Sequence, residues 1–206
     1  MNLRRGSKAA FPCAMLIVRR TADRWIKEAA LSVNWLLTGL PGIGKTTAVE
    51  SVIARLPGFK ATGFVTREIR REDSRTGFEV VDTAGRRQLL ASVTLPSRPR
   101  VGRYGVDLRG FEGFIETIPF QSPETDLILI DEIGKMECLS KLFRRLVGSF
   151  LDRPIPVLAT VARYGGGLID AVKRRPDIIL REVRRTNRSR IPDELAREIR
   201  LALGRR

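Results

Sequence analysis

The chain has 206 residues, 43% of them hydrophobic and 30% charged, which is an ordinary balance for one folded domain and short for two. Its 38 lysines and arginines stand against 23 acids, a net charge of +15, and there is no histidine, so acid–base chemistry falls to carboxylates, lysine or tyrosine. No apolar run approaches the ~18–20 residues that cross a bilayer, and the two cysteines, Cys13 and Cys138, have neither zinc-type spacing nor a disulfide framework.

Residues 1–33 differ from the rest. They hold seven basic residues (Arg4, Arg5, Lys8, Arg19, Arg20, Arg24, Lys27) against two acids, Asp23 and Glu28. The apolar stretch Ala9 to Val18 is broken by Pro12 and closed by Arg19 and Arg20, with no cleavage site after it, so a cytoplasmic protein is expected. A helix over Thr21–Leu31 is expected from the apolar face of Trp25, Ile26, Ala29 and Ala30. The segment reads as a basic extension preceding a domain over residues 34–206.

The organised domain opens with Asn34–Thr38, a short buried strand, and a glycine-rich turn. Lys45–Leu56 reads as a helix that stops before Pro57-Gly58. Ala61–Ile69 and Gly77–Asp82 read as strands joined by the polar turn Arg70–Thr76, and Leu89–Val93 as a further short strand. Arg98–Arg109 is basic and rich in turn residues. The apolar run ending at Ile130 fits a strand covered on both faces. A helix over Ser140–Leu151 follows, with Cys138 at its opening as a small apolar residue. Then come a strand over Pro156–Val161, a helix over Gly167–Arg174, a strand over Asp177–Glu182 and a helix over Pro192–Leu203 with Pro192 in its first turn. Strands alternating with helices give an α/β fold: a three-layer domain with a mostly parallel central sheet and one hairpin insertion near residues 61–93.

The strongest chemical signal is Gly39-Leu40-Pro41-Gly42-Ile43-Gly44-Lys45-Thr46, which fits G-x-x-x-x-G-K-[ST] between a strand and a helix. The glycines let backbone wrap a phosphate chain, and the loop and helix-terminal amides point at it. Lys45 brings positive charge to the β- and γ-phosphates, the Thr46 hydroxyl can ligate Mg2+, and Thr47 completes the nucleotide-binding set. The second signal is Leu127-Ile128-Leu129-Ile130-Asp131-Glu132, an apolar strand ending in an acid that holds Mg2+. With no histidine present, Glu132 is the candidate general base for the attacking water; the alternative role is a partner to the metal site.

Beyond the P-loop, Asp131-Glu132-Ile133-Gly134-Lys135-Met136-Glu137 resembles the signature of the thermostable nucleoside-triphosphatase family, which includes the cancer-related nucleoside-triphosphatase. Gly63–Arg70, Thr76–Val80, Arg100–Tyr104 with Phe111-Glu112, Leu158–Thr160 and Thr186–Arg188 agree in the same order, so the likeness runs from about Asn34 to Leu203. The resemblance implies Mg2+-dependent hydrolysis of ATP, GTP, CTP and UTP to diphosphates with little base selectivity. It places Gly134 and Lys135 beside the catalytic acids and raises Asn187 and Arg188 as contacts to the nucleobase. The chain departs from the pattern at Arg67, where the family usually has an acid, and the basic extension lies outside the likeness altogether.

Weaker candidates are Thr160, a strand-end residue able to sense the γ-phosphate; Arg103, able to stabilise charge on the transferred phosphoryl group; and the connection Tyr164–Gly167, which reads as a lid or a plain loop. Two rivals to a hydrolase share the P-loop: a kinase passing the γ-phosphate to a small molecule or nucleic-acid end, and a nucleic-acid-binding nucleotide switch. The net charge permits contacts to nucleic-acid phosphates, but solvated arginine-rich faces are the favoured account of it, and no recognised nucleic-acid motif is present. The expected partners are nucleoside triphosphates, with nucleic acid open, no membrane, and a monomer in preference to an assembly.

Overall fold

The computed structural model describes residues 33–72 and 74–204. The helix expected over Thr21–Leu31, the basic extension through Ser32 and Cys13 lie outside the described residues. The elements in chain order are β1 (Asn34–Thr38), α1 (Lys45–Ala54), β2 (Ala61–Arg71), β3 (Ser74–Asp82), β4 (Arg87–Ser92), β5 (Arg100–Val101), β6 (Tyr104–Val106), α2 (Leu108–Glu116), β7 (Leu127–Ile133), a 3-10 turn (Glu137–Leu139), α3 (Lys141–Leu151), β8 (Val157–Val161), α4 (Leu168–Lys173), β9 (Ile178–Glu182) and α5 (Ile191–Ala202).

The strands form one sheet in the order β5-β6-β4-β3-β2-β7-β8-β1-β9. From β2 to β9 every pairing is parallel, and from β2 outward to β5 every pairing is antiparallel. The hairpin expected near residues 61–93 is thus the first part of a longer antiparallel wing, because the turn-rich stretch after Pro99 adds β5 and β6. The expected turn Arg70–Thr76 shortens, as β2 runs to Arg71 and β3 starts at Ser74.

Period-two alternation divides the apolar side chains between two cores. Trp35, Leu37, Leu129 and Leu158 face Val49 and Val52 of α1 and Leu195 and Ile199 of α5. Leu36, Ile128, Ile130 and Ala159 face the opposite side, with Phe111 of α2, Phe143 and Val147 of α3 and Ile169 of α4. Helices on both faces make the three layers. The second core centres on Phe64, Phe111 and Phe143, whose rings stand 5.6–6.2 Å apart in edge and tilted contacts. Asn34 knots the opposite end of the sheet from the P-loop: its amide donates to Asp177 (3.1 Å) and accepts from the Val157 amide (2.9 Å).

β9 is an edge strand, paired only with β1 among the described residues, and it leaves Ile179 and Leu180 exposed. The carboxyl ends of β2, β7, β8, β1 and β9 lie along one margin of the sheet, where α/β folds place their ligands.

Candidate active site

At that margin β1 feeds the loop Gly39–Gly44, and α1 starts at Lys45. Gly44 has φ 102°, a conformation that any Cβ makes costly, and it begins α1 with no side-chain cap. The amide of Ala48 bonds back to the Gly44 carbonyl at 2.9 Å, so those of Lys45, Thr46 and Thr47 precede the first internal helix bond. Three unclaimed donors at the positive end of a helix make a seat for an anion. Leu40, Pro41, Gly42 and Thr47 are exposed; Ile43, Gly44, Lys45 and Thr46 are half-buried.

On a regular strand Asp131 and Glu132 would point to opposite faces. Here β7 advances three residues, Ile130 to Ile133, while β8 advances two, Ala159 to Val161. That bulge delivers both acids to the P-loop side of the margin. Asp131 is 1% exposed. The Thr46 hydroxyl donates to one of its oxygens at 2.7 Å, and the Thr160 hydroxyl donates to the other. Burial pushes its carboxyl up to about 6, against the pull of those two hydroxyls and with added repulsion from Glu132. Lys45 Nζ lies 3.5 Å from Glu132 Oε1, with the lysine side chain nearly enclosed and the glutamate one-third open. Thr160 reaches Asp131 because β8 runs between β1 and β7.

Glu137 is a member of this cluster that its place in the sequence does not announce. It follows Glu132 by five residues, and the 3-10 turn folds it back until it is 4% exposed. Gly134 makes room: a Cβ there would sit 2.6 Å from Glu137 Oε2. The Thr66 hydroxyl donates to Glu137 Oε1 at 3.4 Å. Burial, then the charges of Glu132 and Asp131, push this carboxyl up to about 8, so it is mostly neutral at pH 7. An acid recurring three residues after Gly134 was the available signal. Cys138 lies in the same 3-10 turn rather than opening α3, which Ser140 caps instead.

The other sequence candidates are scattered. Gly134 is buried beside Glu132 and Glu137, whereas Lys135 is exposed and forms no ion pair among the described residues. Arg103 is anchored on the wing, donating to the Arg75 carbonyl at 2.6 Å and stacking on Tyr104. Arg67 pairs with Glu50 of α1 at 2.8 Å, so its positive charge is matched locally. Asn187 and Arg188 lie in the segment after β9, where the Val183 amide bonds the Thr38 carbonyl at 2.7 Å. The Asn187 side chain is committed to that segment, accepting from the Arg184 amide (2.7 Å) and donating to the Glu182 carbonyl (2.9 Å). Arg188 is exposed. Tyr164 is also exposed, under the Arg163 guanidinium at 5.4 Å.

The family profile described as NTPase matches residues 34–196. The nucleoside-triphosphatase THEP1 of Thermotoga sp. (strain RQ2) is 37% identical over 161 residues, covering 78% of this chain and 91% of that protein. The crystal structure of THEP1 from the hyperthermophile Aquifex aeolicus superposes with a TM-score of 0.71 at 35% identity, over 79% of this chain and 96% of that one. The solution structure of a human cancer-related nucleoside triphosphatase superposes with a TM-score of 0.70 at 32% identity, over 82% and 98%.

Proposed function

This chain belongs to the NTPase family and hydrolyses nucleoside triphosphates, and on that premise we propose that it does so with Mg2+, with Glu132 as general base and with little preference among ATP, GTP, CTP and UTP. The observation that carries the reading is the convergence of Thr46, Asp131, Lys45 and Glu132 at the uncapped start of α1.

The residues present fit Mg2+. The Thr46 hydroxyl and Asp131 carboxylate are hard oxygen donors 2.7 Å apart, and no group of three or more His, Cys, Asp or Glu ligands is found among the described residues. That sparse set suits an ion that keeps waters and takes substrate phosphate oxygens, not one caged by protein. Thr46 and Asp131 would hold it, and when bound it would supply positive charge that offsets the charge of the phosphate chain. Thr160 fixes the Asp131 carboxylate from the far side. The amides of Lys45, Thr46 and Thr47 bind the phosphate chain. Lys45 moves from Glu132 to the phosphates, which frees the carboxylate to face a water. Glu132 takes the water's proton as the oxygen bonds the γ-phosphorus, and the β–γ bridging oxygen leaves with the diphosphate.

Strand order supports one direction for the substrate. The γ-phosphate belongs near β7, where the acids are, so the nucleoside extends across β8 and β1 toward β9. There the Asn187 amide is already spent on the backbone, which leaves Arg188 to stack on a base without reading its edge and supports low base selectivity. A cytoplasmic place of work accompanies this reading, since nucleoside triphosphates are made and spent there.

Phosphate release from the four nucleotides tests it. Wild type should release phosphate from all four with Mg2+ and stop when EDTA is added. Glu132→Gln should keep the Kd and lose roughly 10²–10⁴ in kcat. Lys45→Ala should weaken binding by about 2 kcal/mol, the scale of one charge-assisted hydrogen bond. Retained turnover in Glu132→Gln would remove that residue as the base.

A further inference from the structure

The segment that follows β9 reads Arg184-Arg185-Thr186-Asn187-Arg188-Ser189-Arg190, four arginines in seven residues with no acid. It begins flush with the P-loop: a Cβ on Gly39 would meet the Val183 carbonyl at 2.8 Å. Its backbone is tied into a compact turn by Arg188 N to Arg184 O (3.0 Å), Arg190 N to Asn187 O (3.0 Å) and the Asn187 side chain. The arginines therefore ride on a preorganised support and not on a loose loop.

Their charges are unspent. Arg184 pairs with Glu182 at 2.5 Å, but Arg185, Arg188 and Arg190 are exposed and have no carboxylate within ion-pair distance among the described residues. The acids nearby are already claimed: Glu182 also by Arg163 (2.9 Å), Asp193 by Arg55 (2.6 Å) and Glu194 by Arg181 (3.4 Å). Arg163 in turn stacks on Tyr164, whose side chain is 67% exposed. Through Glu182 this aromatic surface and the arginine turn form one network at the end of β9. An exposed aromatic ring tied through Arg163 and Glu182 to a turn that bears unpaired cations offers the combination that holds single-stranded nucleic acid, by stacking bases and neutralising phosphates.

We propose that the same active site also takes the 5′-triphosphate end of a single-stranded polynucleotide, with the first downstream phosphodiesters on Arg185 and Arg190 and an unstacked base on Tyr164. This rests on the reading of the P-loop site given above. With the γ-phosphate near β7, the nucleoside end emerges toward β9, about three strand spacings or ~14 Å away, which is where the arginine turn starts. A chain continuing from the 3′ side of that nucleoside passes over exposed cations and meets no unpaired acid of the turn. The reaction is unchanged in its balance. A water oxygen bonds the γ-phosphorus, the bond from that phosphorus to the β–γ bridging oxygen breaks, inorganic phosphate leaves, and the polynucleotide keeps a 5′-diphosphate. The water proton passes through Glu132 to solvent.

The test measures phosphate release by the full chain from a short single-stranded RNA labelled at its 5′ γ-phosphate, beside release from free GTP, across a salt series. Wild type should turn over both, with a lower KM for the RNA that rises steeply with salt. In the double variant Arg185→Gln/Arg190→Gln, GTP hydrolysis should stay at the wild-type rate. The RNA KM should rise, and its log–log salt slope should fall by about 1.4, at ~0.7 for each single-strand phosphate that is no longer neutralised. Release from GTP with none from the RNA overturns this inference and leaves the triphosphatase reading standing. Equal KM values for RNA and GTP in wild type, or an RNA salt slope that the double variant leaves unchanged, overturn it as well. Release from neither substrate overturns the catalytic reading and this one with it.

Discussion

A carboxyl that is 4% exposed, with two other acids nearby and only its own backbone amide and a long threonine bond for support, keeps its proton well above the usual range, and Glu137 is in that position. Neutral, it lets three acids share a small volume. The same burial has a consequence for stability. Below its ordinary value of 4.5, folded and unfolded chains both hold the proton; between there and about 8 only the unfolded chain releases it. Stability from this group is therefore lost as pH rises through that window. Glu137→Gln keeps the shape without the ionisation, so its urea midpoint should overtake that of wild type progressively from pH 5 to pH 8. Parallel curves would show that Glu137 is ionised in the folded chain. Asp131 has the same sign over a narrower span, up to about 6, and leaves a residual slope in the variant.

Among the elements, α3 shows how the acidic turn is held in place. The Ser140 hydroxyl accepts from the Phe143 amide at 3.0 Å, capping α3, and donates to Glu112 of α2 at 2.6 Å. Ser140→Ala should cost about 1–2 kcal/mol in denaturant unfolding, from the missing cap and the partner left without its donor. A change of only a few tenths would mean solvent replaces both bonds. The parallel strands, α1 and α3 were legible in the sequence from their apolar patterning, and the P-loop because phosphate binding demands fixed residues at fixed spacing. Helix α2 was not: it carries Gly110 and Gly113 inside its span and follows a basic, turn-like stretch, so propensity argues against it. Packing overrides propensity there, since Phe111 and Ile115 are 0% and 1% exposed against the sheet. Strands β5 and β6 are too short to show a period, and Glu137 joins the site only through a turn that Gly134 permits. The Asn187 amide looked free for a base in the sequence, and only the folded turn shows it engaged with its own backbone.

At the scale of the whole molecule, one sheet combines two habits. The parallel half buries its strands under helices and bears the Gly39–Gly44 loop at its margin; the antiparallel wing extends β2 beyond its last pairing with β7, at Val65–Asp131, and holds Arg103 through its bond to the Arg75 carbonyl. The parallel half ends at β9, and its outer row of amides and carbonyls has consequences for handling the protein in solution. Exposed Ile179 and Leu180 make that row a template on which a second molecule can add, while a net charge of +15 holds molecules apart. Salt weakens the repulsion, with a screening length of about 8 Å at physiological ionic strength, and leaves the apolar edge untouched. Concentrated stocks should stay clear at low ionic strength and scatter light increasingly as salt is added, and Ile179→Lys should abolish that rise. The colloidal behaviour of this protein would then be governed by one five-residue strand.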